Sequence, residues 1–441
     1  MKASEAVATT QEEVWVSVAA GTRSTLVDSP PGAGKSTLVR EISRRARQRD
    51  QVPIVVQTNN QADDMVRGFV DDQRRGAPSI CVGRLHKADY VPPADLGSQP
   101  GLVFSKALAD LKECDVIVAT AAKWATIGFD RTWPFAVVDE AYQMRSDRLM
   151  PIGTAMDALL LVGDPGQLAP FTNADDTRFR GRPLSPVETA AATILTTQPA
   201  TARHSLPISW RLPSHGASLV SDAFYEIPFT AGTKPEQRRL RRGVTPLHRG
   251  RGGDAVNSAI REGWAYLELD AFPMPQTDPE AIEALVDVVK ELLSADITIE
   301  DEHGTRSLKP SDIAVGVTHR DQREHVRIAL QDTCMRTGMS VEGIAIDTAN
   351  VLQGREFEIV VVWHPLSGRR DASEFHLDAG RLCVLLSRHR HACIVISRGG
   401  IGDQLAGHAP TEPVWLGEQP PAMDGWHAHL TVLDHLARHA V

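Results

Sequence analysis

Short apolar runs alternate with amphipathic stretches along the chain. Five runs in the first half and five in the second are candidate strands: 24–28, 54–57, 116–119, 136–139 and 158–163, then 264–269, 313–318, 343–348, 359–363 and 392–397. Strands that alternate with helices predict parallel sheets of the α/β class. Two similar sets of five strands predict two similar lobes.

One helix is well marked in the second half of the chain. Asp278 can cap its N-terminus, and Pro279 suits its first position. Apolar residues then recur at helical spacing, at positions 282, 285, 286, 289 and 293. A further helix is predicted over 425–441. The polar stretch 198–206 is the predicted lobe boundary, which gives domains over 1–200 and 201–405 and a tail over 406–441.

Residues 228–254 form an irregular stretch that is rich in arginine and glycine. Its basic residues are Arg238, Arg239, Arg241, Arg242, Arg249 and Arg251. This composition predicts a mobile basic loop. Two interpretations stay open, a contact with nucleic acid and a plain solvated loop.

Composition adds limits to this picture. The 441 residues are 42% hydrophobic and 23% charged, as in ordinary globular proteins, and the formal net charge is −9. A generally basic, nucleic-acid-binding body is therefore excluded, and any such surface must be a local groove. The five cysteines include no CxxC pair, and no export signal or membrane span is recognisable. We expect a cytoplasmic protein that does not act on membranes.

A phosphate-binding loop is predicted over 29–36, between a strand and a helix. Its glycines let the backbone curl so that N–H groups point at phosphates. Lys35 is expected to reach the β- and γ-phosphates, and Ser36 to hold Mg²⁺. Ser29 stands where the usual pattern begins with glycine. The expected nucleotide-binding residues are Gly32, Ala33, Gly34, Lys35, Ser36 and Thr37.

Two further motifs follow apolar strands. Asp139 and Glu140 are adjacent acids at a strand end, where Asp139 is expected to bind Mg²⁺ and Glu140 to act as general base on water. Gln167 lies in a Gly/Pro turn after the next strand, from which it can reach a γ-phosphate. In this order and spacing, the motifs predict an ATP hydrolase.

These motifs resemble those of the superfamily 1 helicases, and in particular the 5′→3′ branch that includes the up-frameshift helicase of nonsense-mediated decay. The resemblance runs from Gln11 to about position 397 and implies two tandem RecA-like phosphate-loop domains. It assigns Gln11 to adenine, Trp210 to base stacking and Arg211 to the γ-phosphate. Trp210 stands where the family usually has tyrosine, and plain packing is an alternative for it.

The resemblance assigns further residues of the second lobe to the nucleotide. Gln353, Gly354 and Glu356 match a motif that touches the phosphates and ribose. Arg388 matches the second arginine finger, and with Arg211 it would neutralise charge that develops on the γ-phosphoryl. Surface ion pairs are the alternative for both arginines.

The resemblance also implies a nucleic-acid groove across both lobes, lined by polar residues near strand ends. Such residues suit phosphate and sugar contacts, although ordinary loops contain them too. The expected contacts are Thr58, Asn59, Asn60, Arg84, Thr120, Thr318, His319, Arg320, Thr348 and Asn350.

The expected function is an ATP- and Mg²⁺-dependent translocase or helicase on single-stranded nucleic acid, with DNA slightly favoured and 5′→3′ direction from the resemblance alone. The stretches 62–110 and 228–310 are too short for large inserted domains. Unwinding is therefore expected to be weak or to need a protein partner for unwinding or targeting. One alternative is an ATP-driven switch subunit of a larger nucleic-acid-processing or defence complex. Another is a nucleotide-binding scaffold without turnover, against which the complete set of expected catalytic residues argues.

Overall fold

The computed structural model describes residues 2–97, 99–170, 179, 185–243, 250–407 and 424–441. It divides into two units. The first unit is Met1–Pro165 with Ala169–Pro207, and the second is Gly166–Leu168 with Ile208–Val441. The main crossing between the units therefore follows Pro207, directly after the predicted boundary stretch 198–206, and the short segment Gly166–Leu168 belongs to the second unit as well.

The first unit is built on a parallel sheet of eight strands. The strands are β1 Ser24–Asp28, β2 Val52–Val56, β3 Val82–Leu85, β4 Leu102–Ser105, β5 Val116–Thr120, β6 Ala136–Asp139, β7 Leu159–Gly163 and β8 Ala202–Ser205. Their order is β4-β3-β5-β2-β6-β7-β1-β8, and every neighbouring pair is parallel. The helices are α1 Ala3–Ala19, α2 Lys35–Ala46, α3 Asn59–Arg74, α4 Ala121–Trp124, α5 Ser146–Gly153 and α6 Ala190–Thr197.

Both faces of this sheet are buried. Val27 of β1 packs in a cluster with Leu38 and Phe69, while its neighbour Leu26 packs in a separate cluster with Trp124. Adjacent residues of a strand point to opposite faces, so each cluster covers one face. Burial on both faces explains why these strands are continuous apolar runs rather than alternating ones.

The second unit contains a smaller parallel sheet and two additions. Its strands are β9 Ile208–Ser209, β10 Thr230–Ala231, β11 Arg239–Arg242, β12 Trp264–Leu269, β13 Ile297–Asp301, β14 Gly304–Ser307, β15 Ile313–Val317, β16 Ala345–Thr348, β17 Phe357–Trp363 and β18 His389–Arg398. The order β12-β18-β17-β15-β16 forms the parallel sheet. Strands β11, β13 and β14 form an antiparallel sheet, and β9 pairs with β10.

Helices of the second unit surround its parallel sheet. They are α7 Ser214–Phe224, α8 Arg251–Glu262, α9 Pro279–Ser294, α10 Arg320–Thr337, α11 Ala349–Leu352, α12 Glu374–Leu377, α13 Ala379–Leu386, α14 Ile401–Ala406 and α15 Gly425–Leu436. Helix α15 packs against α7 and α13, with Val432 and Leu436 in the core, so it belongs to this unit rather than to a separate tail.

The predicted α/β class with parallel sheets is confirmed, and all ten predicted strands are present within a few residues. Helix α9 is also confirmed: Asp278 Oδ1 accepts hydrogen bonds from the backbone N–H groups of Glu280 and Ala281 at 3.1 and 3.4 Å. None of the described helices is long and apolar enough to cross a membrane.

The predicted basic loop over 228–254 is wrong for its described part. That part contains β10, β11 and the start of α8. Strand β11 was missed because only Leu240 among its four residues is buried, which leaves too short an apolar pattern. Arg249 lies outside the described residues.

Candidate nucleotide site

The phosphate loop connects β1 to α2, as predicted. Ser29 replaces the usual first glycine without disturbing the loop, and its backbone N–H donates to the carbonyl of Gly163 at 2.8 Å. Gly32 and Gly34 have φ values of 70° and 87°, a left-handed conformation that favours glycine. Gly34 directly precedes α2, so the unpaired backbone N–H groups at the N-terminus of this helix lie beside the loop. This is the local geometry that an anionic phosphate chain requires.

Lys35, the first residue of α2, lies beside the carboxylates of Asp139 and Glu140. Its Nζ donates a hydrogen bond to Glu140 Oε1 and lies 3.6 Å from Asp139 Oδ1. Burial alone would lower the pKa of Lys35, but the charges of Glu140, Asp139 and Asp164 more than offset burial and raise it. Lys35 is therefore a permanent cation at the start of α2.

The Asp139–Glu140 turn follows β6 in a constrained conformation. Glu140 has a φ of 59°, which is rare for a residue with a side chain and costs conformational energy. Asp139 Oδ1 accepts a hydrogen bond from the Glu140 backbone N–H at 2.9 Å, and Gln143 Nε2 donates to Glu140 Oε2 at 3.0 Å. A Cβ on Gly163 would lie 3.0 Å from the backbone nitrogen of Ala141, so β7 passes close to this turn. The surroundings thus fix the direction of the Glu140 carboxylate.

The oxygen ligands near Lys35 suit Mg²⁺. Burial and the neighbouring Glu140 raise the pKa of Asp139, against the opposing charge of Lys35, and a divalent cation would stabilise the ionised carboxylate. Magnesium is commonly held by one or two carboxylates together with substrate phosphates. The hydroxyl of Ser36 and the carboxylate of Asp139 are the residues that would hold it. Among the described residues, no three His, Cys, Asp or Glu side chains form a metal site by themselves.

A buried polar network supports the strand ends beside the phosphate loop. Asp28, the last residue of β1, accepts hydrogen bonds from the Tyr142 hydroxyl at 2.5 Å and from Arg203 Nε at 2.9 Å. Burial, followed by the charge of Asp28, raises the pKa of Tyr142, so its hydroxyl remains a donor. The network ties β1, the turn after β6 and β8 together.

Gln11, the expected adenine contact, lies in α1 and is half-buried. Helix α1 packs against α2, β1 and β8. In the phosphate loop and the first turn of α2, Ala33 is buried, whereas Ser36 and Thr37 are exposed to solvent.

Trp210 and Arg211 follow β9 in the second unit. Trp210 is 39% exposed, and its ring lies over Gly232, where a Cβ would come within 2.4 Å of the indole. Arg211 Nε lies 3.2 Å from Glu356 Oε2. Burial alone would raise the pKa of Glu356, but Arg211 and Arg390 hold it below its usual value. The structure thus joins three of the expected nucleotide contacts in one small region.

Gln167 and Gln353 are also brought together in the second unit. Gln353 Nε2 donates to Gln167 Oε1 at 2.9 Å. Gln353 ends helix α11, and the next residue, Gly354, has a φ of 81°. Arg388 is fully buried between α13 and β18, where its Nε donates to the Val384 carbonyl and its Nη2 to Ser387 Oγ.

Arg84 is a correction to the expected nucleic-acid contacts. It is fully buried, and its guanidinium donates to Asp63 at 3.0 Å and to Asn59 at 2.9 Å. A third donor reaches the Leu85 carbonyl at 2.8 Å, and the Tyr90 ring lies 4.8 Å away. The buried position of Arg84 does not support a contact with nucleic acid, because its guanidinium already forms hydrogen bonds with groups inside the fold.

The other expected contacts of the first unit lie at helix starts that follow strands. Thr58 caps α3 by accepting a hydrogen bond from the Gln61 backbone N–H, and Thr120 caps α4 by accepting one from Lys123. Both hydroxyls therefore stabilise the N-terminus of a helix. Asn59 and Asn60 are exposed.

In the second unit, the expected contacts lie at the carboxyl ends of β15 and β16. Thr318 and Thr348 are largely buried, whereas Arg320 and Asn350 are exposed. The ring of His319 stacks on Phe375 with 5.2 Å between centroids. Two neighbours here were not predicted from the sequence. They are Phe375, which is partly exposed, and Arg381, whose guanidinium lies 3.8 Å from the Phe375 ring centre and 3.4 Å from Asn350 Oδ1.

Residues 193–399 match the model of the AAA domain family. The matched range is a little under half of the chain and contains the region of Trp210, Gln353 and Arg388 described above.

Three solved structures of viral helicases are similar to this chain. One is the PRRSV helicase, with 15% identity over 87% of this chain and 54% of that one, and a TM-score of 0.41. Another is arterivirus nonstructural protein 10, a helicase, with 13% identity over 91% and 63% and a TM-score of 0.44. The third is a complex of nonstructural protein 10 with DNA, with 14% identity over 91% and 64% and a TM-score of 0.42. The chain spans 54% to 64% of the length of these proteins. No curated protein matches its sequence.

Arg238 is the main residue near the site that sequence reasoning misplaced. It was predicted to lie in a mobile basic loop, with a nucleic-acid contact and a plain solvated loop both left open, yet it is buried and donates to the backbone carbonyls of Trp210 and Arg211. The sequence does contain a weak signal for a strand at this place, since Arg238 directly precedes the alternating polar and apolar residues of β11. The four-residue strand was too short for that signal to be recognised.

Proposed function

We propose that this chain hydrolyses ATP with Mg²⁺ and uses the cycle to move on single-stranded nucleic acid. The observation that carries the proposal is the meeting of Lys35 with Glu140 and Asp139 at the start of α2. A phosphate loop, a fixed cation and two strand-end carboxylates are the parts that phosphoryl transfer to water needs. The AAA domain match over 193–399 supports a nucleotide-driven protein as well.

The chemistry follows from these positions. The loop N–H groups and Lys35 bind the β- and γ-phosphates, and Mg²⁺ held by Ser36 and Asp139 would offset phosphate charge. Glu140, aimed by its constrained backbone, accepts the proton of the attacking water. Arg211 and Arg388 are proposed to neutralise charge on the γ-phosphoryl, and Trp210 to stack on the base.

Nucleic acid enters the proposal through the resemblance to superfamily 1 helicases and through the exposed polar residues Asn59, Asn60, Arg320 and Asn350. Direction 5′→3′, DNA as the favoured track and a place in the up-frameshift-like branch rest on that resemblance alone. A protein partner that supplies unwinding or targeting belongs to the same proposal. A cytoplasmic location is supported by the five cysteines, none of which forms a disulfide.

The proposal is tested by measuring ATP turnover with single-stranded DNA, single-stranded RNA and duplex DNA in parallel. We expect at least one single-stranded polymer to accelerate turnover severalfold and the duplex to have less effect. Basal turnover that neither polymer accelerates would overturn the motor and favour an ATP-driven switch.

The role of Glu140 has its own test. Glu140→Gln keeps the shape of the side chain but cannot accept a proton, so the variant should bind ATP and fail to hydrolyse it. Full hydrolysis by this variant would contradict Glu140 as general base. Glu113→Gln, at an exposed position, is the matched control and should keep full activity.

A further inference from the structure

Arg238 occupies the centre of a charged network in the second unit. Its side chain is 2% exposed, and Glu302 accepts two hydrogen bonds from it, at 3.1 Å from Nε and 2.7 Å from Nη2. This bidentate ion pair has a fixed direction because the guanidinium is planar, and the ammonium group of a lysine cannot form the same two hydrogen bonds. Hydrogen bonds from Arg238 hold the pKa of Glu302 near 2, so the pair stays ionised at neutral pH.

The same guanidinium also reaches the backbone of the expected nucleotide contacts. Nη2 donates to the carbonyl of Trp210 at 2.7 Å, and Nη1 donates to the carbonyl of Arg211. One planar group therefore fixes two successive peptide units. The direction of each side chain depends on the peptide unit that carries it, so Arg238 sets where the indole and the Arg211 guanidinium can lie.

The network closes into a ring through Glu356 and Arg390. Arg390 Nη2 lies 2.8 Å from Glu302 Oε1, and Arg390 Nη1 lies 3.6 Å from Glu356 Oε1. Glu356 in turn pairs with the Arg211 side chain at 3.2 Å. Arg211 is thus held at both ends, by Arg238 at its carbonyl and by Glu356 at its guanidinium.

The small antiparallel sheet accounts for the presence of this ring. Glu302 lies in the turn between β13 and β14, and Arg238 immediately precedes β11, which pairs with β13. The sheet brings these two residues together although 64 positions separate them in sequence. A buried ion pair is costly to form unless its hydrogen bonds are satisfied, and here the two carbonyls and the carboxylate satisfy them.

We propose that Arg238, clamped by Glu302, is a positioning residue that orients Trp210 and Arg211 toward the nucleotide. The roles of Trp210 and Arg211 come from the proposed function, so this inference rests on it. Arg238 itself does not touch the nucleotide. Its loss acts through two residues at once, on nucleotide affinity through Trp210 and on turnover through Arg211.

The test compares Arg238→Gln with Arg239→Gln, an exposed neighbour on β11. We expect Arg238→Gln to lower kcat about 10- to 100-fold and to raise KM for ATP severalfold, because small misplacements of catalytic groups have effects of this size. Arg239→Gln should change neither. Glu302→Gln should resemble Arg238→Gln, and Arg238→Lys should recover only part of the loss. Unchanged kinetics in Arg238→Gln would overturn the inference.

A double variant separates positioning from simple destabilisation. If Arg238 acts on turnover through Arg211, adding Arg238→Gln to Arg211→Ala lowers kcat less than twofold further, since the group it positions is already gone. A merely structural role would lower kcat by the same factor in both backgrounds, which would contradict the inference.

Amide hydrogen exchange gives a readout that does not need activity. Exchange over 209–213 should accelerate in Arg238→Gln relative to Arg239→Gln, while exchange in α10 stays the same. Equal exchange over 209–213 would overturn the positioning role. If the wild-type chain shows no ATP turnover, the proposed function fails, and this measurement still decides whether Arg238 fixes the segment.

Discussion

Gln353 Nε2 donates a hydrogen bond to Gln167 Oε1 at 2.9 Å, although 186 positions separate the two residues. Gln167 lies in the turn Gly166–Leu168, which belongs to the second unit, whereas the residues on both sides of that turn belong to the first. The sequence motifs predict that Gln167 contacts the γ-phosphate, and we propose that role for it here as well. A movement of Gln167 on binding the γ-phosphate would then act on Gln353 and helix α11 through this hydrogen bond.

This bond predicts coupling between the two glutamines. A hydrogen bond of this kind contributes about 0.5–1.5 kcal/mol, so Gln167→Ala and Gln353→Ala should each lower kcat about two- to tenfold. The double variant should be no slower than the slower single variant, because both remove the same interaction. Steady-state ATP turnover of the four proteins measures this, and effects that multiply would show that the two residues act independently.

The turn around Gln167 leaves no room at Gly380. A Cβ on Gly380, in α13, would lie 2.7 Å from the Gln167 carbonyl oxygen, which must then move. Gly380→Ala should therefore lower ATP turnover by displacing Gln167. Gly402→Ala in α14 is the matched control, since a Cβ there meets nothing within 4 Å. Equal turnover in the two variants would mean that the position of Gln167 does not matter for hydrolysis.

The buried pair of Arg84 and Asp63 predicts a loss of stability rather than of nucleic-acid binding. Arg84→Ala leaves the Asp63 carboxylate buried without its cation, which costs about 3–5 kcal/mol of unfolding free energy. The pair of Arg67 and Asp95 is exposed to solvent, which screens its charges, so Arg67→Ala should have a much smaller effect and is the control. Denaturant unfolding measures both. Weaker binding of nucleic acid by Arg84→Ala at unchanged stability would instead favour the role expected from sequence.

Three imidazoles around Trp264 predict acid sensitivity of the second unit. His215, His389 and His435 lie with ring centroids 6.4, 5.1 and 5.2 Å from the Trp264 ring. Burial lowers the pKa of all three, to about 4 for His215 and His435 and well below the ordinary value for His389.

The direction of this effect follows from proton binding. The unfolded chain takes up protons on these rings near pH 6.5 and the folded chain does not, so stability is complete above about pH 6.5 and falls as the pH approaches 4. Between pH 7 and pH 5, protonation of the unfolded chain at each of these rings should therefore lower the stability of the folded protein. Thermal melting at both pH values measures the loss. His435→Gln should reduce it and His303→Gln, at an exposed site, should not; a pH-independent melting temperature would contradict the prediction.

The fold was largely predictable because its central strands are buried on both faces. Strands such as β1 and β17 are uninterrupted apolar runs, and these are easy to recognise. Strands at the edges were missed. β14 is exposed throughout and β8 is Ala-Arg-His-Ser, so neither has an apolar run. β4 has only three consecutive apolar residues, Leu102 to Phe104, which is too short a run to predict a strand with.

The candidate site was predictable where one short segment performs one task. The phosphate loop needs glycines at fixed positions, and the strand-end acids follow an apolar run, so both leave a local pattern. The partners that hold these parts do not. Arg203 meets Asp28, and Arg238 meets Glu302, across long stretches of sequence that carry no marker of the contact. Arg84 was misassigned because a strand-end arginine looks the same in sequence whether it faces solvent or a buried aspartate.

The central claim is that Lys35 belongs to a site of ATP hydrolysis, and the most direct test is phosphate release by the wild-type chain and by Lys35→Ala with Mg²⁺ and single-stranded DNA or RNA. Lys112→Ala, at an exposed position, is the control. The account predicts turnover by the wild type and by Lys112→Ala, and none above background by Lys35→Ala. Turnover retained by Lys35→Ala, or absent from the wild type with every polymer tested, would contradict it.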